Sequence, residues 1–117
     1  MKPERWRRIT GYQVVYSRRD SSILARADVF RGADGARKLL ERIDLELRRS
    51  GVPNLKRRPA TVGDEGWVYS ALLGGGYTVV SWRDRRIVAT VIGLRLAKAH
   101  VLALARAQQR RIASALR

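Results

Sequence analysis

Three apolar runs, residues 67–73, 77–82 and 87–94, follow one another with only Gly74-Gly75-Gly76 and then Arg83-Asp84-Arg85-Arg86 between them. Such links are far shorter than the crossover of a dozen or more residues that joins parallel strands. The runs must therefore fold back on one another as an antiparallel meander. Their Val, Ile, Trp, Tyr and Thr side chains suit a pleated, half-buried surface.

The rest of the chain can be placed around that meander. Tyr12, Val14 and Tyr16 alternate with Gln13 and Val15 as in a half-buried strand. Residues 18–22 form a turn, and residues 23–30 return as a second strand with Arg26 and Asp28 on the face of Leu24 and Phe30. Asp34 is a candidate N-cap, after which Ala36, Leu39, Leu40, Ile43 and Leu47 recur at helical spacing until Gly51 and Pro53 stop the helix. That spacing predicts a helix over about residues 34–50. Its outer face pairs Arg37 with Glu41, Arg42 with Glu46 and Asp44 with Arg48 at i,i+4, and Leu45 projects opposite the apolar stripe. Residues 52–65, with Pro53, Pro59, Gly63 and the triplet Lys56-Arg57-Arg58, read as a loop with a short edge strand. Residues 97–117 form a second helix. Val101, Ala105, Ile112 and Leu116 line one side of it, and Arg106, Arg110 and Arg117 line the other.

The expected fold is α+β: a single antiparallel sheet of five or six strands with two helices packed on it, in the order β-β-α-(β)-β-β-β-α. Residues 1–10 read as a basic N-terminal arm and residues 11–117 as one domain. A faint repeat relates Val14 to Asp20 before Ile23 with Val79 to Asp84 before Ile87, each followed by a hairpin and then a helix.

Charge limits the partners. The formal net charge is +15, a field that concentrates polyanions near the surface and makes association salt-dependent. Residues 97–117 carry five basic residues and no acidic one, so no partner within that helix cancels its field. Arginine outnumbers lysine 21 to 4; the bias serves bidentate phosphate or carboxylate contacts and equally follows from a GC-rich genome. The chain has no cysteine, which removes disulfides, zinc-thiolate sites and thiol nucleophiles together. No apolar run approaches the length of a transmembrane segment, and no signal-peptide core follows the basic N-terminus.

Catalytic and metal sites are not expected. His100 is the only histidine, so no zinc-binding His pair is available, and neither a serine triad nor a His-carboxylate dyad near a nucleophile is inferred. Asp64 and Glu65 are adjacent carboxylates, able to share acid and base roles only if burial separates their pKa values; a turn entering the next strand explains them more simply. Gly74-Gly75-Gly76 is not a phosphate loop, because a strand rather than a helix follows it. Trp6, Tyr12 and Tyr16 among the N-terminal arginines, and Trp82 beside Arg83, Arg85 and Arg86, interleave aromatic and basic residues, as single-stranded nucleic-acid binders do. Core packing needs the same aromatics. No cofactor is implied.

Several segments together resemble exported lipoprotein-type, PsbP-like α+β domains of actinobacteria and other high-GC bacteria. They are Val62-Gly63-Asp64-Glu65-Gly66, Val79-Val80-Ser81-Trp82-Arg83, Ile87-Val88-Ala89-Thr90-Val91 and the helix from Leu104 to Ile112, with Val29-Phe30 before a helix opening on Ala36-Arg37. The likeness runs from about Gly11 onward. It implies an antiparallel sheet with helices against it, a cell-envelope or extracellular location, and a Gly-Asp-Glu element that is a structural turn; no active-site residue is carried over. This sequence departs from the pattern in having no lipobox cysteine or signal sequence and in its higher charge, so without the resemblance a cytoplasmic location is the alternative.

The functional expectation is a non-catalytic basic domain that contacts an anionic ligand, wall polymer or protein partner through Arg106, Arg110 and Arg117, with Arg83, Arg85 and Arg86 contributing if their hairpin lies nearby. The alternative is a nucleic-acid binder, cytosolic or phage-type. An uncovered sheet edge would favour oligomers by strand pairing, opposed by the self-repulsion of the charge.

Overall fold

The computed structural model describes residues 8–18, 20–72 and 75–115. Six strands form one antiparallel sheet: β1 (Arg8–Arg18), β2 (Ser21–Phe30), β3 (Lys56–Pro59), β4 (Glu65–Ala71), β5 (Tyr77–Asp84) and β6 (Ile87–Leu94). Their order across the sheet is β1-β2-β6-β5-β4-β3. The helices are α1 (Ala33–Arg48) between β2 and β3, and α2 (Lys98–Ala115) after β6. The meander is present as expected, and residues 52–65 include the short edge strand β3. β1 begins at Arg8, inside the stretch read as an arm; residues 1–7 lie outside the described residues. The hairpin between β5 and β6 is tighter than expected, because Arg83 and Asp84 still belong to the strand and only Arg85, at φ +55°, and Arg86 make the turn.

Pairing register assigns every strand residue to one of two faces. On one face Ala27, Ala89, Trp82, Val80, Val91 and Val68 form a buried cluster with Val101, Ala105 and Ile112 of α2. On the other, Phe30 and Val88 pack against Ala36 and Leu39 of α1, with Ile43 beside them. The helices therefore lie on opposite faces, and the fold is a helix-sheet-helix sandwich. The hairpin-then-helix rhythm is real. A twofold axis normal to the sheet relating β1-β2 to β5-β6 would keep both helices on one face, however, and the structure does not.

α2 docks closely because of Gly93: a methyl group there would lie 2.5 Å from Val101 Cγ2. α1 begins differently from expectation. Its N-cap is Gly32, with extended backbone and no side-chain cap, while Asp34 sits in the first turn, where a carboxylate faces the positive end of the helix dipole, and lies 3.5 Å from Arg37. At the other end the Ser50 hydroxyl donates to the Leu47 carbonyl at 2.7 Å, and Gly51 turns the chain away at φ +79°. Leu45, expected on the outer face, is half-buried. Among the described residues no helix is long and apolar enough to cross a membrane.

Candidate anion-binding surface

The arginines of this domain fall into two environments. On the α1 face, Asp44 was read as half of an exposed i,i+4 pair with Arg48. That pair exists, at 3.2 Å, but Asp44 is only 7% exposed. Arg57 of β3 donates to both of its oxygens, Nε to Oδ1 at 2.6 Å and Nη2 to Oδ2 at 2.9 Å, and the Tyr69 hydroxyl donates to Oδ1 at 2.6 Å. The Arg57 guanidinium also stacks 3.4 Å above the Trp67 ring.

Burial alone would raise the Asp44 pKa, but hydrogen bonds from Arg57 and Tyr69 and the charges of Arg57 and Arg48 outweigh it and hold the carboxyl below its usual value. Burial, with the Asp44 carboxylate next to it, pushes the Tyr69 hydroxyl upward. A carboxylate whose oxygens are already engaged by three hydrogen-bond donors and an ion pair to Arg48 has little capacity left to act as a base. This cluster is a clamp that fastens edge strand β3 to α1. A second internal pair, Arg26 Nε to Asp28 Oδ2 at 2.8 Å, lies on the same face.

Arg83 belongs to this compensated group. Its side chain is 11% exposed; Nε donates to Glu65 Oε1 at 2.8 Å, and Nη1 to the Arg85 carbonyl at 2.8 Å and Asp64 Oδ2 at 3.4 Å. Asp64 also accepts the Arg85 backbone N–H at 2.7 Å. The adjacent carboxylates thus act as turn-builders, as the sequence suggested, and in doing so they take Arg83 out of the set of outward anion contacts.

The second environment, exposed arginines that meet no carboxylate among the described residues, includes Arg31, Arg49 and Arg58 and is densest from the β5–β6 turn onward. Arg85 and Arg86 project their side chains into solvent, Arg86 Nη1 reaching the Phe30 carbonyl at 3.3 Å. Arg106, Arg110 and Arg111 of α2 are exposed. Among the described residues none of these three meets a carboxylate at ion-pair distance. Residues 85–117 contain no Asp or Glu at all. Arg117 lies outside the described residues.

Gln109 brings the turn and the helix together: Trp82 Nε1 donates to its Oε1 at 2.6 Å, and its Nε2 donates to Asp84 Oδ2 at 2.6 Å. These bonds set α2 beside the end of β5, one residue before the turn that carries Arg85 and Arg86. Gln109 itself was passed over. The available signal was Trp82, whose indole N–H needs an acceptor once it is buried in a core strand.

No protein-family model and no curated protein sequence matches the chain. A solved structure does share the fold. The extracellular domain of PknH from Mycobacterium tuberculosis superposes with a TM-score of 0.56 at 9% sequence identity, over 89% of this chain and 66% of that one. This chain therefore spans about two-thirds of its structural neighbour's length, and the likeness establishes the architecture.

The same geometry bears on the aromatics. Trp82 is fully buried and hydrogen-bonded to α2, Tyr69 is buried in the clamp, and Trp67 is covered on one side by Arg57. None of these presents a free ring to a nucleobase from the basic side. Tyr16 is 65% exposed, but it stands on edge strand β1 rather than on α2. Trp6 and the Tyr12 side chain lie outside what the structure describes.

Proposed function

We propose that the protein is a non-catalytic binding domain of the bacterial cell envelope that holds a polyanion, a phosphate-bearing wall polymer or the acidic face of a protein, against the outer side of α2 and the β5–β6 turn. The observation that carries this reading is the exposure of Arg85, Arg86, Arg106, Arg110 and Arg111 in a segment devoid of carboxylates. Support for the envelope comes from the shared fold with an extracellular domain and from the sequence resemblance to exported domains. The buried state of Trp82 favours a backbone-reading surface over base stacking, which places nucleic acid second.

Titration with inorganic polyphosphate, single-stranded DNA and poly-glutamate over a range of salt concentrations tests the proposal. Polyphosphate and DNA should bind comparably and weaken steeply with salt. Replacing Arg106, Arg110 and Arg111 together by Gln should flatten the log-log salt slope for DNA by about 2, at roughly 0.7 per lost phosphate contact on a single strand. Unchanged binding by that variant would remove α2 as the contact surface, and DNA binding far tighter than polyphosphate would move the nucleic-acid reading to first place.

A further inference from the structure

At the opposite end of α2 the sheet carries a row of polar residues that the arginine surface does not use. Lys56, Ser70, Thr78 and Gly93 are successive cross-strand neighbours on β3, β4, β5 and β6, on the face where α2 lies. Gly93 is covered by Val101. α2 packs chiefly on β5 and β6, and a cleft of about 620 Å³ remains between the helix start and the β3–β4 end of the sheet around Lys56 and Ser70. That volume suits a small organic ligand.

The lining is one-sided in charge. Lys56 rises from the floor, Lys98 from the first turn of α2 and Arg95 from the link before it, and among the described residues no carboxylate lines the cleft. Arg95 also meets Asp20, outside the cleft, at 3.7 Å. Lysine in a first turn that holds no acidic residue opposes the helix dipole, a placement that becomes favourable when an anion sits between them.

A second observation points the same way. Thr78 is 3% exposed and lines the cleft, and its hydroxyl has no hydrogen-bond partner among the described residues. No buried side-chain polar atom among those residues is sealed off without a partner, so the hydroxyl opens onto the cleft.

The glycine run finds its role here. Gly75 and Gly76 take φ of +90° and +123°, conformations that side chains strain. This lets Gly75 and Gly76 lie against the link before α2, where the Arg95 N–H donates to the Gly76 carbonyl at 2.7 Å. The run does not lead into a helix, so it is no phosphate loop by sequence. Topology nevertheless sets Gly75 and Gly76 beside a helix N-terminus that arrives from a different part of the chain.

We infer that this cleft binds a small phosphate monoester with an apolar portion. The phosphate would lie among Lys56, Lys98, Arg95 and the Thr78 hydroxyl, and the apolar portion would rest against Leu96 and Pro53. A group of charge near −2 matches this cation set better than a lone carboxylate does. The site is separate from the arginine surface, since Arg106 to Arg111 lie roughly 12–20 Å farther along the helix axis.

The test is titration of the full chain with phenyl phosphate, followed by amide shifts and calorimetry, in parallel with vesicles of phosphatidic acid. Saturable binding near or below about 1 mM is expected, weakened at least tenfold in Lys56→Gln/Lys98→Gln and measurably in Thr78→Val, with shifts centred on residues 76–78 and 96–98. The Arg106→Gln/Arg110→Gln/Arg111→Gln variant should bind phenyl phosphate like the wild type, which separates this site from the polyanion surface. Binding to the vesicles alone, lost with the two lysines, would identify the phosphate as a lipid headgroup. Failure to bind either probe, or binding that survives loss of both lysines, would overturn the inference.

Discussion

Arg57 and Arg106 carry the same charge a few tens of residues apart, yet they do opposite things. Arg57 chelates a buried carboxylate and covers Trp67, so its charge is consumed in joining an edge strand to a helix. Arg106 stands exposed on a helix with no acidic residue in its half-turn or the next, so its charge remains available to a partner. The acidic residues all lie at or before Asp84, and Arg26, Arg37, Arg42, Arg48, Arg57 and Arg83 meet them there, whereas Arg31, Arg49 and Arg58 stay exposed without a carboxylate partner among the described residues. Net charge counts both populations alike; only burial and partners separate structural cations from presented ones.

The sharpest way to break that distinction is Asp44→Ala. Removing the carboxylate leaves the buried Tyr69 hydroxyl and the partly exposed Arg57 guanidinium without their common acceptor. Loss of one partner from such a pair costs about 3 kcal/mol, to be read from urea denaturation as a fall in midpoint at unchanged slope. A loss below about 1 kcal/mol would mean that Arg57 is no better anchored than the arginines of α2.

The same clamp predicts a pH profile. Because the folded carboxyl of Asp44 titrates below its ordinary value of 3.8, its contribution to stability is complete above that value and disappears as pH falls through the lower folded pKa. Tyr69 and Tyr77 titrate above their ordinary value of 10.0, Tyr77 through burial alone. Their contribution is complete below pH 10 and declines as pH rises beyond it, where the unfolded tyrosines ionise first. Stability measured in Asp44→Asn should therefore show a shallower acid limb than the wild type and converge with it below the carboxylate range. Parallel acid limbs would place the linkage elsewhere.

How far the fold was legible follows from the same contrast. Strand periods and link lengths are local, so the meander, both helices and the buried side of α2 at Val101, Ala105 and Ile112 could be read directly. The clamp could not, because Asp44 at i,i+4 from Arg48 satisfies a helix-surface rule, and its burial depends on β3 arriving 13 residues later. Arg83 was misjudged for a related reason. A charged residue beside a turn looks solvent-facing, whereas the strand continues through Asp84 and the register sets Arg83 opposite Glu65. The cleft under the first turn of α2 joins β3, β4, β5 and the link after β6, a conjunction with no linear signature. Lys98 in an acid-free first turn was its single visible trace.

Glu65→Gln probes the intermediate case. Arg83 is largely buried while Glu65 is 44% exposed, and Arg83 keeps its contacts with Asp64 and the Arg85 carbonyl. A loss of about 0.5–1 kcal/mol is expected, well short of the Asp44 effect. The variant also removes one negative charge from the domain, so polyphosphate binding should tighten slightly through the stronger overall field. Binding that weakened instead would indicate that Arg83 reads the polyanion in its paired state.

The smallest stability effect should come from the residues with the largest proposed role in binding. Replacing Arg106, Arg110 and Arg111 by Gln removes no described ion pair and leaves the buried side of α2 intact, so unfolding free energy should change by less than about 0.5 kcal/mol. The sign at low salt should be towards greater stability, because three of the positive charges that repel one another in the compact state are gone. Added salt screens that repulsion in the wild type and has less to screen in the variant, so the gap between them should close as ionic strength rises. If the triple variant were instead destabilised as strongly as Asp44→Ala, these arginines would be structural, and the division between consumed and presented charge would fail at the place where it matters most.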